Sequence, residues 1–111
     1  MSRVPTDAIV VYVTVPDADE GARIGKALVE ASLAACVSVV PGVRSIYRWE
    51  GKICDDAEAL LVIKTRAELF ERLRARVTEL HRYDVPEIVA LPIVAGHAPY
   101  LDWIDQSTAH S

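Results

Sequence analysis

Ala35-Cys36-Val37-Ser38-Val39-Val40-Pro41-Gly42-Val43-Arg44-Ser45-Ile46-Tyr47-Arg48-Trp49-Glu50-Gly51-Lys52 is the stretch whose reading decides the fold. A β-branched run begins near Ala35 and is interrupted by Pro41-Gly42, then resumes from Val43 to Trp49. Proline cannot donate to a ladder and glycine tolerates a bulge, so the stretch reads as one long strand bent at Pro-Gly. Glu50-Gly51-Lys52 supplies a turn, and the chain returns as a hairpin on a strand containing Ala59-Leu60-Leu61-Val62-Ile63.

Upstream, Ala8-Ile9-Val10-Val11-Tyr12-Val13-Thr14-Val15 is almost wholly β-branched and reads as a buried strand closed by Pro16. Asp17 with Glu20 resembles a reciprocal capping box at the start of a helix that sets Ile24, Leu28 and Ala31 on one face. Gly21 and Gly25 weaken that helix and predict close packing rather than high intrinsic stability. Downstream, Thr65-Arg66-Ala67-Glu68 predicts a second capped helix, with Thr65 as cap and Glu68 reaching back. Phe70, Leu73, Val77 and Leu80 form its apolar stripe, and Glu68 and Arg72 stand on the solvated side. Asp84-Val85-Pro86 ends the region, because the residue before proline is pushed out of helical space. Glu87 to Val94 is a fourth strand, placed at an edge or a bulge by Pro92. Gly96 breaks the chain, Pro99 starts a short terminal helix as its first residue, and Ser107 to Ser111 are expected to fray. The order β-α-β-β-α-β plus a terminal helix is the split βαβ, ferredoxin-like arrangement of the α+β class. Residues 1–111 read as a single domain with an ordered core at about 8–106, free of repeats and linkers.

Composition narrows the partners. A chain of 111 residues can bury a core without disulfide or metal staples. A net charge of −4, with basic residues interleaved among acids, argues against nucleic acid, which is bound by clustered Lys and Arg. No apolar run approaches the ~20 residues that span a bilayer, so no membrane role is expected. The N-terminus has no basic segment followed by an apolar one, and the expected compartment is therefore the cytoplasm. There Cys36 and Cys54 are expected as reduced thiols, and no C-x-x-C pair or Cys/His quartet offers a structural zinc site.

Two helices cover one face of a four-stranded sheet, and a wet second face should alternate apolar with polar residues. These strands do not alternate cleanly. Ile9, Val11, Val13 and Val15 can face the helices, yet Val10 and Tyr12 point the other way. Leu60 and Val62 oppose Ala59, Leu61 and Ile63, and Val89, Leu91 and Ile93 oppose Ile88 and Ala90. Burying one such side chain is worth roughly 1.5–3 kcal/mol, and a patch of that extent needs a cover. Either the terminal helix and loops supply it, or another copy of the chain does. Periodicity favours an oligomer without choosing its number.

Several stretches together resemble the CutA divalent-cation tolerance family. They are Thr14-Val15-Pro16-Asp17, Leu33-Ala34-Ala35-Cys36-Val37, Ile46-Tyr47-Arg48-Trp49-Glu50-Gly51-Lys52, Ile63-Lys64-Thr65, His81-Arg82-Tyr83-Asp84-Val85-Pro86-Glu87-Ile88 and Ala98-Pro99-Tyr100-Leu101-Asp102-Trp103. The match runs from about Ile9 to Trp103. The resemblance implies a tight homotrimer with sheets facing inward and the bent hairpin crossing between subunits. It also implies an association with tolerance to divalent metals, copper above all, an architecture like that of the PII signalling proteins, and no enzymatic reaction. In bacterial relatives the proposed copper ligands are a Cys on the first strand and a His-His pair ending the second helix. The corresponding positions here are Val13, Leu80 and His81, so of that set His81 alone is retained.

Copper would want imidazole and thiolate ligands converging in space, and the sequence offers Cys36, Cys54, His81, His97 and His110. His81 is the candidate metal ligand, or else a partner for the helix dipole. No cofactor is required, and copper or another divalent cation is expected to bind at most weakly. Cys36, Tyr47, Trp49, Lys64, Tyr83, Glu87 and Trp103, with His81, are candidates to line an inter-subunit cleft for an unidentified small ligand. Aromatic walls with a few charges suit a ligand site, and equally suit interface packing. Lys64 beside Thr65 could hold an anion at the start of the second helix. No G-x-S-x-G, phosphate loop, G-x-G-x-x-G or H-E-x-x-H motif occurs, and Glu87 or Glu58 beside His81 is the nearest thing to an acid/base pair. The expected function is a non-enzymatic trimeric binding or scaffold protein of the metal-ion response. The alternative is a PII-like sensor of a small anionic metabolite.

Overall fold

A computed structural model describes residues 6–109. The elements are β1 (Ala8–Val15), α1 (Ala18–Glu30), β2 (Cys36–Trp49), β3 (Lys52–Arg66), a 3-10 turn (Ala67–Leu69), α2 (Phe70–Leu80), β4 (Ile88–Pro92) and α3 (Ala98–Ser107). One four-stranded sheet has the order β2-β3-β1-β4, with every neighbouring pair antiparallel. The β-α-β-β-α-β order expected from the sequence is thus present.

β1 is central and β-branched, and its alternate residues Ile9, Val11, Val13 and Val15 enter a core with Ile24 and Leu28 of α1 and Leu73 and Val77 of α2. Asp17 caps α1, its Oδ1 accepting the Glu20 amide at 2.8 Å. The box is not reciprocal, because the Glu20 carboxylate takes a two-pronged bond from Arg23 at 3.1 and 2.7 Å instead. Gly25 lets α1 descend onto β2, where an added Cβ would lie 2.8 Å from Val37 Cγ1. α1 ends with Leu33 N–H bonding Leu28 O and Ser32 N–H bonding Val29 O, both at 3.0 Å, the Schellman arrangement. Ser32 holds the left-handed position at φ 57° that glycine usually fills.

The bend is where the sequence placed it. Register slips between Val40 and Val43, and Gly42 takes φ 75°. Beyond it the hairpin continues as an arm closed by Glu50 and Gly51, both at positive φ, between the paired Trp49 and Lys52. That is the primed turn whose twist suits a hairpin. The arm helps make the molecule 50 Å long against 25 and 22 Å in the other directions.

Three local expectations fail. Thr65 does not cap a helix. β3 runs on through Arg66, which pairs with Ala8, and the buried Thr65 hydroxyl donates to Leu33 O at 2.7 Å. α2 begins without a side-chain cap after the 3-10 turn, and Glu68 pairs with Arg66. Lys64 is consequently a mid-strand residue, in register with Val10 and Cys36, and not a group at a helix N-terminus. Pro99 is the second residue of α3 rather than its first. Nor does the chain fray at Ser107, which ends α3. Thr108 behind it is fully buried and accepts from Arg66 Nε at 2.8 Å through its hydroxyl and from Nη2 at 2.9 Å through its carbonyl. Residues 110 and 111, including His110, lie outside the described residues.

α3 lies against the second sheet face at one end, Leu101 and Ile104 packing on Ala8, Ala35 and Ile93. It stops there. Val10, Tyr12, Leu60 and Val62 remain half-buried, and Val89 and Leu91 on the edge strand β4 are 48% and 44% exposed. Pro92 closes that edge strand, as its missing donor requires.

Candidate functional site

Where the arm leaves the sheet it faces the loop between α2 and β4, and the gap is a cavity of about 610 Å3. Its lining is Thr14 from β1, Ser45, Ile46, Tyr47 and Trp49 from β2, Glu58 from β3, and Tyr83, Asp84, Val85 and Glu87 from the loop. Strand alternation explains Ser45, Tyr47 and Trp49, whereas Ile46, also in the lining, belongs to the alternate face. Ser45, Tyr47 and Trp49 share one face of the arm, while Arg44 on the other face forms a bidentate pair with Asp55 at 2.8 and 2.7 Å.

His81 fixes the opposite wall. α2 ends at Leu80 and His81 turns extended, which carries its ring under β1. Its Nε2 donates to Thr14 O at 2.7 Å and its Nδ1 accepts the Tyr83 amide at 3.1 Å, a pairing that sets the neutral tautomer. The Tyr83 ring lies tilted on the imidazole, centroids 4.7 Å apart, and its hydroxyl donates to Glu58 Oε2 at 2.9 Å. The loop is further tied to α1, since Arg23 Nη2 donates to Leu80 O at 2.7 Å and Arg82 lies 3.5 Å from Glu20.

Electrostatics keep the phenols protonated. Desolvation, and then the bond to Glu58, push the Tyr83 hydroxyl up to about 12. The bond to Asp56 pushes Tyr47 up still further. Both rings therefore present O–H donors to carboxylates at any physiological pH.

Four of the sequence candidates meet here: Tyr47, Trp49, Tyr83 and Glu87. Four do not line this cavity, His81 among them. Cys36 and Lys64 face each other across β2 and β3 toward the Ala8 end of the sheet, and Trp103 stacks on Tyr100 of α3 at 5.5 Å, also at that end. Cys36 Sγ lies 4.0 Å from Ser38 Oγ, and Cys54 sits in the arm opposite Tyr47; both thiols are free. His81 is buried, 8% exposed, rather than on the surface, and in this conformation both ring nitrogens are engaged with backbone groups. It is a positioning residue for the cleft wall. Neither Glu87 nor Glu58 pairs with it, Glu58 being bonded to Tyr83. Among the described residues no group of three or more His, Cys, Asp and Glu side chains is placed to hold a metal ion.

Sequence reasoning left Thr14, Ser45, Ile46, Asp84 and Val85 out of the lining, and considered Glu58 only as an acid/base partner. The alternation Glu58, Asp56, Cys54 along β3 opposite Val43, Ser45 and Tyr47 is the signal that could have placed Glu58 beside Tyr47.

A family model described as CutA1 divalent ion tolerance protein matches residues 9–107. The divalent-cation tolerance protein CutA of Thermus thermophilus is 54% identical over 99 residues, which are 89% of this chain and 96% of that one. The chloroplastic protein CutA of Arabidopsis thaliana is 52% identical over 101 residues, covering 91% of this chain. The chain spans 56% of that relative's length and 59% of the rice relative's. Among solved structures, CutA1 from Oryza sativa superposes with a TM-score of 0.90 at 51% identity, covering 97% of each chain. CutA from Xylella fastidiosa gives 0.91 at 38% identity, covering 94% of this chain and 100% of that one. The strand order, the bent hairpin and these matches agree, and the chain belongs to the CutA1 divalent ion tolerance family.

Proposed function

We propose that the protein is a self-associating, non-catalytic binding protein of the response to divalent metal ions, assembled as a homotrimer in the cytoplasm, with the cleft as its ligand site. The observation that carries this reading is the apolar surface no element of the chain covers: Val89 and Leu91 on the sheet, and Ile46, Trp49 and Ile53 at 66%, 53% and 64% exposure on the arm. Each large side chain buried in an assembly contributes roughly 1.5–3 kcal/mol. A projecting arm and an open sheet face on the same chain suit three copies packed sheet to sheet with arms crossing, as the resemblance implies. Light scattering on the eluted protein tests this, with a mass of three chains expected and a mass of one chain overturning it.

Support for a non-catalytic role comes from the site's own bonds. His81 is committed to Thr14 and the Tyr83 amide, and Glu58 to the Tyr83 hydroxyl, so neither stands as a free base in this conformation. The same commitments argue that the link to metal tolerance does not run through tight copper capture at His81. Calorimetric titration with copper is expected to give no saturable stoichiometric heat; one equivalent bound per chain and lost in His81→Ala would reverse that. The anionic-metabolite alternative concerns a cleft between subunits, and within one chain Lys64 stands apart from the cavity of Tyr47 and Tyr83.

A further inference from the structure

We infer that the arm tip of one copy docks against the α2–β4 loop of the next, its Arg48 and Lys52 meeting Asp84 and Glu87 there; this rests on reading the protein as self-associating. Most basic side chains find an acid inside their own chain. Arg23, Arg74 and Arg76 pair with acids of their own helices, Arg44 pairs with Asp55, and Arg66 with Glu68. Arg48, Lys52, Asp84 and Glu87 are exposed and make no ion pair among the described residues. These four coincide with apolar surface that no element of the chain covers. Arg48 and Lys52 interleave with the exposed Ile46, Trp49 and Ile53 at the end of the arm, and Asp84 and Glu87 flank Val85, 72% exposed, in the loop. Glu50 at the turn offsets one of the tip's two positive charges. The loop's two acids have no base of their own, Arg82 being turned to Glu20 at 3.5 Å.

The other unpaired bases suit the loop less well. Lys26 and Arg72 stand on α1 and α2, whose outer faces pair their charges within the helix, and Lys64 is half-buried in mid-sheet. The arm has the reach. From Val43, where the register resumes, to Glu50 it rises about 23 Å at ~3.3 Å per residue, enough to leave its own sheet and cross to a neighbour. A contact between two different surfaces is head-to-tail, the kind from which a three-membered ring is built. Ile46, Trp49, Ile53 and Val85 shield the pairs from water and strengthen them over exposed ones. The cleft beside Tyr83 is then finished by the neighbour, whose bases supply the sign of charge that its own lining lacks.

The test reverses each side and then both. Dissociation is followed by light scattering along a dilution series at one fixed urea concentration. The proteins are the wild type, Arg48→Glu with Lys52→Glu, Asp84→Lys with Glu87→Lys, and the chain carrying all four substitutions. Reversing one side sets like charges together and is expected to weaken each contact about tenfold, or roughly a thousandfold in the dissociation constant of a ring of three contacts. The chain with all four substitutions restores opposite charges and is expected to recover to within about tenfold of the wild type. A loss in that chain equal to both single-side losses combined overturns the pairing while self-association stands. Reversed variants that assemble as tightly as the wild type overturn it likewise. A wild type that is a single chain at every concentration without urea overturns the self-association reading itself. Should a reversed variant fail to fold, Arg48→Gln with Lys52→Gln and Asp84→Asn with Glu87→Gln carry the same cycle. A combined loss smaller than the two separate losses together is expected there, and strict additivity overturns the pairing.

Discussion

β2 and β3 are two structures in one hairpin, divided at Pro41-Gly42. Before the bend, Val37, Val39, Leu61 and Ile63 pack into the helix-covered core. Beyond it, Ile46, Trp49 and Ile53 have the same apolar character and stand open to solvent. Strand pairing is continuous on both sides of the bend. Burial is therefore set by what lies over the ladder, not by the ladder or by side-chain type. The inner half stabilises the chain that contains it, and the outer half has stabilising area to offer only to something else.

The contrast is broken most severely in the inner half. Leu61→Ala, at a fully buried position, is expected to cost ~2–5 kcal/mol in denaturant unfolding. Ile53→Ala, in the arm, is expected to change the unfolding of an isolated chain by less than about 0.5 kcal/mol, and a loss comparable to Leu61→Ala would erase the distinction. Gly25→Ala forces a methyl toward Val37 Cγ1, 2.8 Å from the ideal Cβ, and should cost ~1–3 kcal/mol by calorimetry. Trp49→Ala reverses the pattern, with little effect on an isolated chain and a loss of about 2 kcal/mol or more in assembly, read as a shift in the dissociation midpoint.

Acid sharpens the comparison in the layer that joins α1 to α2. The hydrogen bond from Arg23, aided by the charges of Arg23 and Arg82, holds the Glu20 carboxyl below its ordinary value of 4.5. A lowered folded-state pKa means stability fully present above 4.5 and lost as pH falls through the folded value. Midpoints measured from pH 6 downward should fall, and Glu20→Gln should remove part of that fall. The smallest effect is expected at Ser32→Gly, where relief of the left-handed backbone should add up to about 1 kcal/mol in chemical denaturation.

What the sequence disclosed was local chemistry with one structural outcome. Pro41-Gly42 can only disturb a strand, Glu50-Gly51 accepts positive φ, Asp17 caps, and Phe70, Leu73, Val77 and Leu80 make a stripe. Thr65 misled because Thr-x-x-Glu fits a helix start and a strand end alike, and the pairing of Arg66 with Ala8 decided the matter from far along the chain. Glu20 was drawn from the cap by Arg23, and Thr108 was ordered by Arg66; neither partner is visible in a helix pattern. The lining of the cavity within the single chain was half legible. Alternation tells which face a residue occupies but not which end of the sheet. Tyr47 and Glu87 therefore meet Tyr83, while Cys36, Lys64 and Trp103 gather toward the Ala8 end.

The central claim is that another copy shields the arm and open sheet face, and acrylamide quenching of Trp49 in the Trp103→Phe protein tests it most directly. Trp49 is 53% exposed in the single chain, and at micromolar protein it should be protected, becoming quenchable only when dilution or Ile53→Asp separates the subunits. A Trp49 as quenchable at micromolar concentration as in the separated chain would contradict the account.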